Sequence, residues 1–110
     1  MNEEQARILY RKIGFAEADR LLRGDRRAVL LDVRTEEEYI AGHAVGAVLL
    51  PYDEITAETA ARTVGAKDTP VLVYCRTGRR SAITARTLLR LGYTRVYDLG
   101  SLTGWPYGLE

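Results

Sequence analysis

The 110-residue chain has one cysteine, Cys75, one histidine, His43, and only two lysines, Lys12 and Lys67. A single cysteine excludes an internal disulfide. It directs expectation to a reducing compartment, the cytoplasm, and leaves the thiol available for chemistry. No apolar run approaches the roughly 20 residues that a membrane helix needs. The acidic start Asn2-Glu3-Glu4-Gln5 lacks the basic and apolar regions of a secretory leader, so neither a membrane span nor a leader is expected. An excess of one charge is missing as well. A net charge of +1 gives no reason to expect nucleic acid or a membrane surface as partner. Side-chain amides are confined to Asn2 and Gln5, which fits a heat-adapted source, but the scarcity of lysine runs against that signature. There is no linker, internal repeat or low-complexity segment. With 46% hydrophobic and 28% charged residues, disorder is not expected. One domain over residues 1–110 is predicted, with residues 1–12 as a helical N-terminal extension.

Asn2 to about Lys12 carries apolar Ala6, Ile8 and Leu9, followed by Ile13, a spacing that predicts a short amphipathic helix. Phe15 to Arg23 repeats the pattern with Phe15, Ala18, Leu21 and Leu22, and Gly24 as its stop. Ala28 to Val33 is a continuous apolar run with one charge near its end, as suits a strand buried on both faces of a parallel sheet. Thr35 and Glu38 have the spacing of a capping box, with Gly42 ending that helix. Ala47 to Leu50 and Val71 to Tyr74 read as strands, and Ala57 to Arg62 as a helix. Ser81 to Leu91 reads as a helix stopped by Gly92, Arg95 to Leu99 as the last strand, and Gly100 to Trp105 as a turn. Strands alternating with short helices predict an α/β fold: a central, mostly parallel sheet with helices on both faces.

Within that plan one stretch stands out, Val71-Leu-Val-Tyr-Cys75-Arg76-Thr77-Gly78-Arg79-Arg80-Ser81. Ligands of open parallel sheets sit beyond the carboxyl ends of the strands, and Cys75 falls at such an end, ahead of a helix. The unpaired N–H groups of a helix start favour an anion by roughly 0.3–1 kcal/mol when exposed. Arg76, Arg79 and Arg80 add positive charge, and Gly78 permits the positive φ that turns successive N–H groups inward. Such a setting suits a thiolate nucleophile. The plainer alternative, a packed small hydrophobe, is hard to reconcile with so polar a following segment. His43, between Gly42 and Ala44, is expected to shape a turn rather than act as a base. Asp32 and Arg34 are expected to form a supporting polar network with the Glu36 to Glu38 run, and Trp105 and Tyr107 to tuck under the sheet edge rather than line an acceptor pocket.

Taken together, Leu31-Asp32-Val33-Arg34, Glu38-Tyr39, Gly42-His43, Gly46-Ala47 and Pro51, the Cys75 loop with Arg80-Ser81-Ala82, and Val96-Tyr97 with Gly100 and Trp105 resemble the rhodanese family of sulfurtransferases over residues 13 to 107. The resemblance implies that Cys75 takes sulfur from a small anionic donor such as thiosulfate, forms a persulfide, and passes it to cyanide or a thiol. That thiol could belong to a protein, and no cofactor or metal is needed. It also implies that the amides from Arg76 to Ser81 hold the persulfide. Leu49 stands where asparagine is common, and Ser101 where a second glycine is frequent, which bears on local turn geometry. Phosphatases and arsenate reductases of the same fold carry arginine six positions after the cysteine. Here that position is Ser81, the nearest arginine is Arg80, and Tyr74 precedes the cysteine where histidine is typical of many such phosphatases. Partner-binding modules of the family generally lack the cysteine, which leaves a sulfur relay to a protein as the further alternative.

Overall fold

Four apolar runs pair into one parallel sheet. They are β1 (Val29–Asp32), β2 (Val48–Leu49), β3 (Val71–Cys75) and β4 (Val96–Ser101), in the order β2-β1-β3-β4. The computed structural model describes residues 2–110, so residue 1 of the expected 1–12 extension lies outside them. The helices are α1 (Glu3–Leu9), α2 (Phe15–Gly24), α3 (Glu36–Ala41), α4 (Ala57–Thr63) and α5 (Arg79–Arg90), with a 3-10 turn over Tyr52–Glu54.

Alternation along the central strand builds two cores. Val71, Val73 and Cys75 of β3 face one side, where they join Ala6 of α1, Ala60 of α4 and Ala85, Leu88 and Leu89 of α5. Leu72 and Tyr74 face the other, with Ala18 of α2 and the partly buried Phe15, Tyr39 and Trp105. Helices therefore cover both faces, as the sequence pattern predicts. Among the described residues no helix is long and apolar enough to cross a membrane.

Three boundaries lie two or more residues from the sequence reading, each for a local reason, and the others agree to within one. The first helix ends at Leu9 rather than Lys12. Only Ala6 of it is buried, and Ile8 stays 72% exposed. The chain from Arg11 to Ile13 instead runs extended beside β4, the Asp98 N–H donating to the Arg11 carbonyl (2.8 Å) and the Ile13 N–H to the Asp98 carbonyl (2.9 Å). Unpaired backbone groups on that sheet edge thus outweigh helix propensity. Next, α5 starts at Arg79, two residues early, because Gly78 turns into the left-handed region (φ +98°) and serves as its N-cap. Finally, β4 continues two residues past Leu99. Gly100, at φ +76°, absorbs an irregularity in pairing with β3, so that Cys75 stands opposite Ser101. Ser101 itself has no positive φ, so serine is no obstacle to this turn.

Candidate active site

β3 is buried along its whole length and carries Cys75 to its carboxyl end, with 0% of that residue exposed. In that respect Cys75 is packed, as the plainer alternative has it: β3 lies at the centre of the sheet, and the following turn folds back over its end. The sulfur is nonetheless not enclosed by hydrocarbon alone, since the Gly78 N–H donates to Sγ at 2.9 Å. The Cys75 carbonyl is held as well, accepting from the Leu102 N–H at 2.9 Å. Gly78 adopts the positive φ expected of it. A Cβ there would find the Gly100 Cα at an ordinary 3.7 Å, so conformation rather than space is what calls for glycine.

The three arginines of the loop separate into distinct roles. Arg80 is committed to Glu38 through two parallel bonds, Nη1 to Oε1 at 2.7 Å and Nη2 to Oε2 at 3.0 Å. Arg76 and Arg79 are exposed and form no ion pair among the described residues. Arg34 and Arg76 together line two hollows, and Cys75 lines neither. One, of about 240 Å³, has Leu102, Trp105 and Leu109 in its wall, and the other, of about 310 Å³, has Glu38, Ala41 and Gly42. Thr77 is exposed, whereas Ser81 is fully buried with its hydroxyl donating to the Gly78 carbonyl (3.2 Å). The Ser81 hydroxyl therefore braces the turn.

Glu38 joins two elements. The predicted capping box forms, with the Thr35 hydroxyl accepting the Glu38 N–H and the Thr35 N–H donating to the Glu38 carboxylate. The same carboxylate reaches α5, where it offsets an arginine placed at the positive end of a helix dipole. Hydrogen bonds from Arg80, and after them from Thr35, hold Glu38 at about 2, against an ordinary 4.5, with partial burial opposing. A carboxylate lowered in the folded state stabilises it fully above the ordinary value, and the effect is lost as pH falls through the folded one. Both side chains are about one-fifth exposed, so screening limits the effect to about 1 kcal/mol. Glu38→Gln is accordingly expected to be less stable than the parent near neutral pH, the gap closing between about 4.5 and about 2. Urea unfolding across that range measures it, and a gap independent of pH would contradict this assignment.

Asp32 and Arg34 form the expected network, but with different partners. Arg34 pairs with Asp32 (Nη2 to Oδ2, 2.7 Å) and donates to the Gly42 carbonyl at 2.6 Å. A further Asp32 contact comes from the adjoining strand, on the same face of the sheet: the Tyr74 hydroxyl donates to Oδ2 at 2.5 Å and accepts the Ala44 N–H at 3.1 Å. Burial, and then the bond to Asp32, pushes the Tyr74 hydroxyl far up. Arg34 is raised chiefly by the same carboxylate. Within the Glu36 to Glu38 run, it is Glu38 that reaches the loop, and it does so through Arg80.

His43 behaves as a turn residue. Its Nδ1 lies 2.8 Å from the Tyr39 carbonyl, its ring stacks on Tyr39 at 3.7 Å, and its backbone exchanges hydrogen bonds with Glu110. Trp105 packs edge-to-face on Phe15 (5.3 Å) and Tyr107 (5.0 Å) and also walls the smaller hollow, so both weighed roles meet in one ring. Sequence reasoning missed three contributors: Glu38 as the partner of Arg80, Tyr74 as the anchor of Asp32, and Ser101 against the loop. Of these only Glu38 had a signal, its capping-box position on the neighbouring helix.

A family model described as the Rhodanese-like domain matches residues 15–106. The sequence is 39% identical over 72 residues to the thiosulfate sulfurtransferase PspE of Escherichia coli, covering 66% of this chain and 68% of PspE. It is 37% identical over 84 residues to the uncharacterized protein YqhL of Bacillus subtilis, covering 74% of this chain. The chain spans 64% of YqhL, less than two thirds of that protein. Among solved structures, a rhodanese with anions from E. coli superposes with a TM-score of 0.67 at 33% identity, over 76% of this chain and 96% of that one.

Proposed function

The chain belongs to the rhodanese-like domain family, and on that premise we propose that it is a thiosulfate sulfurtransferase with Cys75 as the sulfur carrier. In the first half-reaction the Cys75 thiolate attacks the outer sulfur of thiosulfate. A new S–S bond forms, the old one breaks, and sulfite leaves with its electron pair. In the second, a thiolate or cyanide attacks the outer sulfur of the persulfide, and the Cys75 thiolate departs. Both steps balance with no cofactor. A thiol acceptor in the cytoplasm suits a chain with a lone cysteine.

The observation that carries this reading is the Gly78 N–H on Sγ at 2.9 Å, a main-chain donor that can hold negative charge on sulfur. The arginines support it. Arg80 is occupied by Glu38, which leaves Arg76, exposed and lining both hollows beside the loop, as the cation best placed to draw in an anionic donor, with Arg79 second. Geometry also disfavours a phosphatase. Ser81, the residue six after the cysteine, is buried against the Gly78 carbonyl, and the nearest arginine is already paired.

Intact-mass measurement after incubation with thiosulfate tests the proposal. A gain of one sulfur atom, removed by a reductant, is expected, and its absence in folded protein would overturn it. Replacing Arg76 by alanine is expected to raise KM for thiosulfate about tenfold, the loss of one charge-assisted contact. A smaller rise is expected for an uncharged persulfide. Steady-state kinetics with both donors decides it, and equal losses would remove Arg76 from anion capture.

A further inference from the structure

The carboxyl end of β4 is built as a bracket around the Cys75 loop. Cys75 pairs in register with Ser101, and the Leu102 N–H holds the Cys75 carbonyl. The Ser101 hydroxyl donates to the Arg76 carbonyl at 2.6 Å and accepts the Thr103 N–H at 3.1 Å. Two consecutive carbonyls of the loop, those of Cys75 and Arg76, are thus tied to consecutive residues of one strand end. The bracket is itself fixed from below. The Asp98 carboxylate accepts the Gly100 N–H at 2.8 Å and the Tyr10 hydroxyl, which sets the turn that presents Ser101.

A peptide unit is planar and trans, so its carbonyl and its N–H point in opposite directions. Anchoring the Arg76 carbonyl on β4 therefore turns the Thr77 N–H away from β4 and fixes the start of the turn whose next amide, Gly78, donates to sulfur. The hydroxyl has one proton and gives it to Arg76, while its oxygen is already used by Thr103, so the chain of three groups has a single direction that strengthens each bond. We propose that Ser101 is a positioning residue for Cys75: by orienting the Arg76–Thr77 peptide it holds the Gly78 N–H on the sulfur. This rests on the sulfurtransferase reading only for its consequence in turnover. The effect on the thiol stands apart from it.

The test uses the full chain with Ser101→Ala and Ser101→Thr. Alkylation of Cys75 by iodoacetamide reads the thiolate without any sulfur transfer, because only the thiolate attacks. Ser101→Ala is expected to slow alkylation at neutral pH about fivefold, the weakening of one hydrogen bond to the sulfur. The donor half-reaction should slow by a similar factor for thiosulfate and for an uncharged persulfide alike, with KM for thiosulfate little changed. Ser101→Thr, which keeps the hydroxyl, is expected to restore both. Alkylation that is unchanged in folded Ser101→Ala, or faster because the buried sulfur has merely been uncovered, or failure of threonine to restore the parent rate, would overturn the proposal. Loss of the fold in Ser101→Ala would reduce the hydroxyl to a structural strut and overturn it equally. If the parent protein never gains sulfur from thiosulfate, the sulfurtransferase reading fails, while the alkylation comparison still decides the role of Ser101.

Discussion

Cys75→Ser is expected to abolish sulfur transfer, by at least about 10³-fold, while leaving the fold in place. The substitution exchanges one atom for another of smaller radius at a fully buried site. Its oxygen keeps the Gly78 N–H as partner. The added cost is one buried hydroxyl hydrogen seeking an acceptor, about 1 kcal/mol. A serine hydroxyl is not ionised at neutral pH and cannot carry sulfane sulfur, so both half-reactions stop at once. Thiocyanate formation, read alongside a thermal melt, checks this. Retained activity in the folded variant would place the chemistry elsewhere. Because Cys75 is the only cysteine in the chain, no second thiol can substitute for it.

The largest loss of stability is expected from Asp32→Ala. Asp32 is fully buried and Arg34 only 8% exposed, and the carboxylate receives the Arg34 backbone N–H, its Nε and Nη2, and the Tyr74 hydroxyl. Removing it leaves a buried guanidinium without its counter-charge, a change that costs about 3–5 kcal/mol when one partner of a buried pair is lost. For a domain of this size, each kcal/mol lowers Tm by about 4–8 °C, so a fall of about 15–30 °C is expected. Asp32→Asn keeps an acceptor and should lose less. Replacing Asp32 and Arg34 together by apolar residues should also cost less than Asp32→Ala alone, since no charge is then stranded. Calorimetry on the three variants separates these outcomes. A single-variant loss no larger than that of the double would show that the pair is not electrostatically coupled.

How much of this was legible in the chain depends on the range of each interaction. The Thr35–Glu38 box, the positive φ of Gly78 and the strand at Val71 are set by neighbours within a few residues, and each stands as its local pattern predicts. The Arg80–Glu38 pair joins residues 42 apart, and the Ser101–Arg76 bond residues 25 apart. Both depend on how two loops meet above the sheet, which no periodicity encodes. The stretch from Tyr10 to Ile13 misleads for a related reason. Its residues suit a helix, yet tertiary pairing with Asp98 draws it out. The burial of Cys75 follows from the central place of β3, a matter of strand order rather than of the residues around the cysteine.

The extended stretch beside β4 has a consequence for behaviour at high concentration. An unfringed parallel sheet presents two rows of idle amides and carbonyls on which a stray chain can template itself. In this molecule one margin is overlaid at Arg11 and Ile13 by the chain's own leading segment, and the opposite one, at β2, is only two residues long. Neither offers purchase for strand recruitment, so the sheet resists joining others edge to edge.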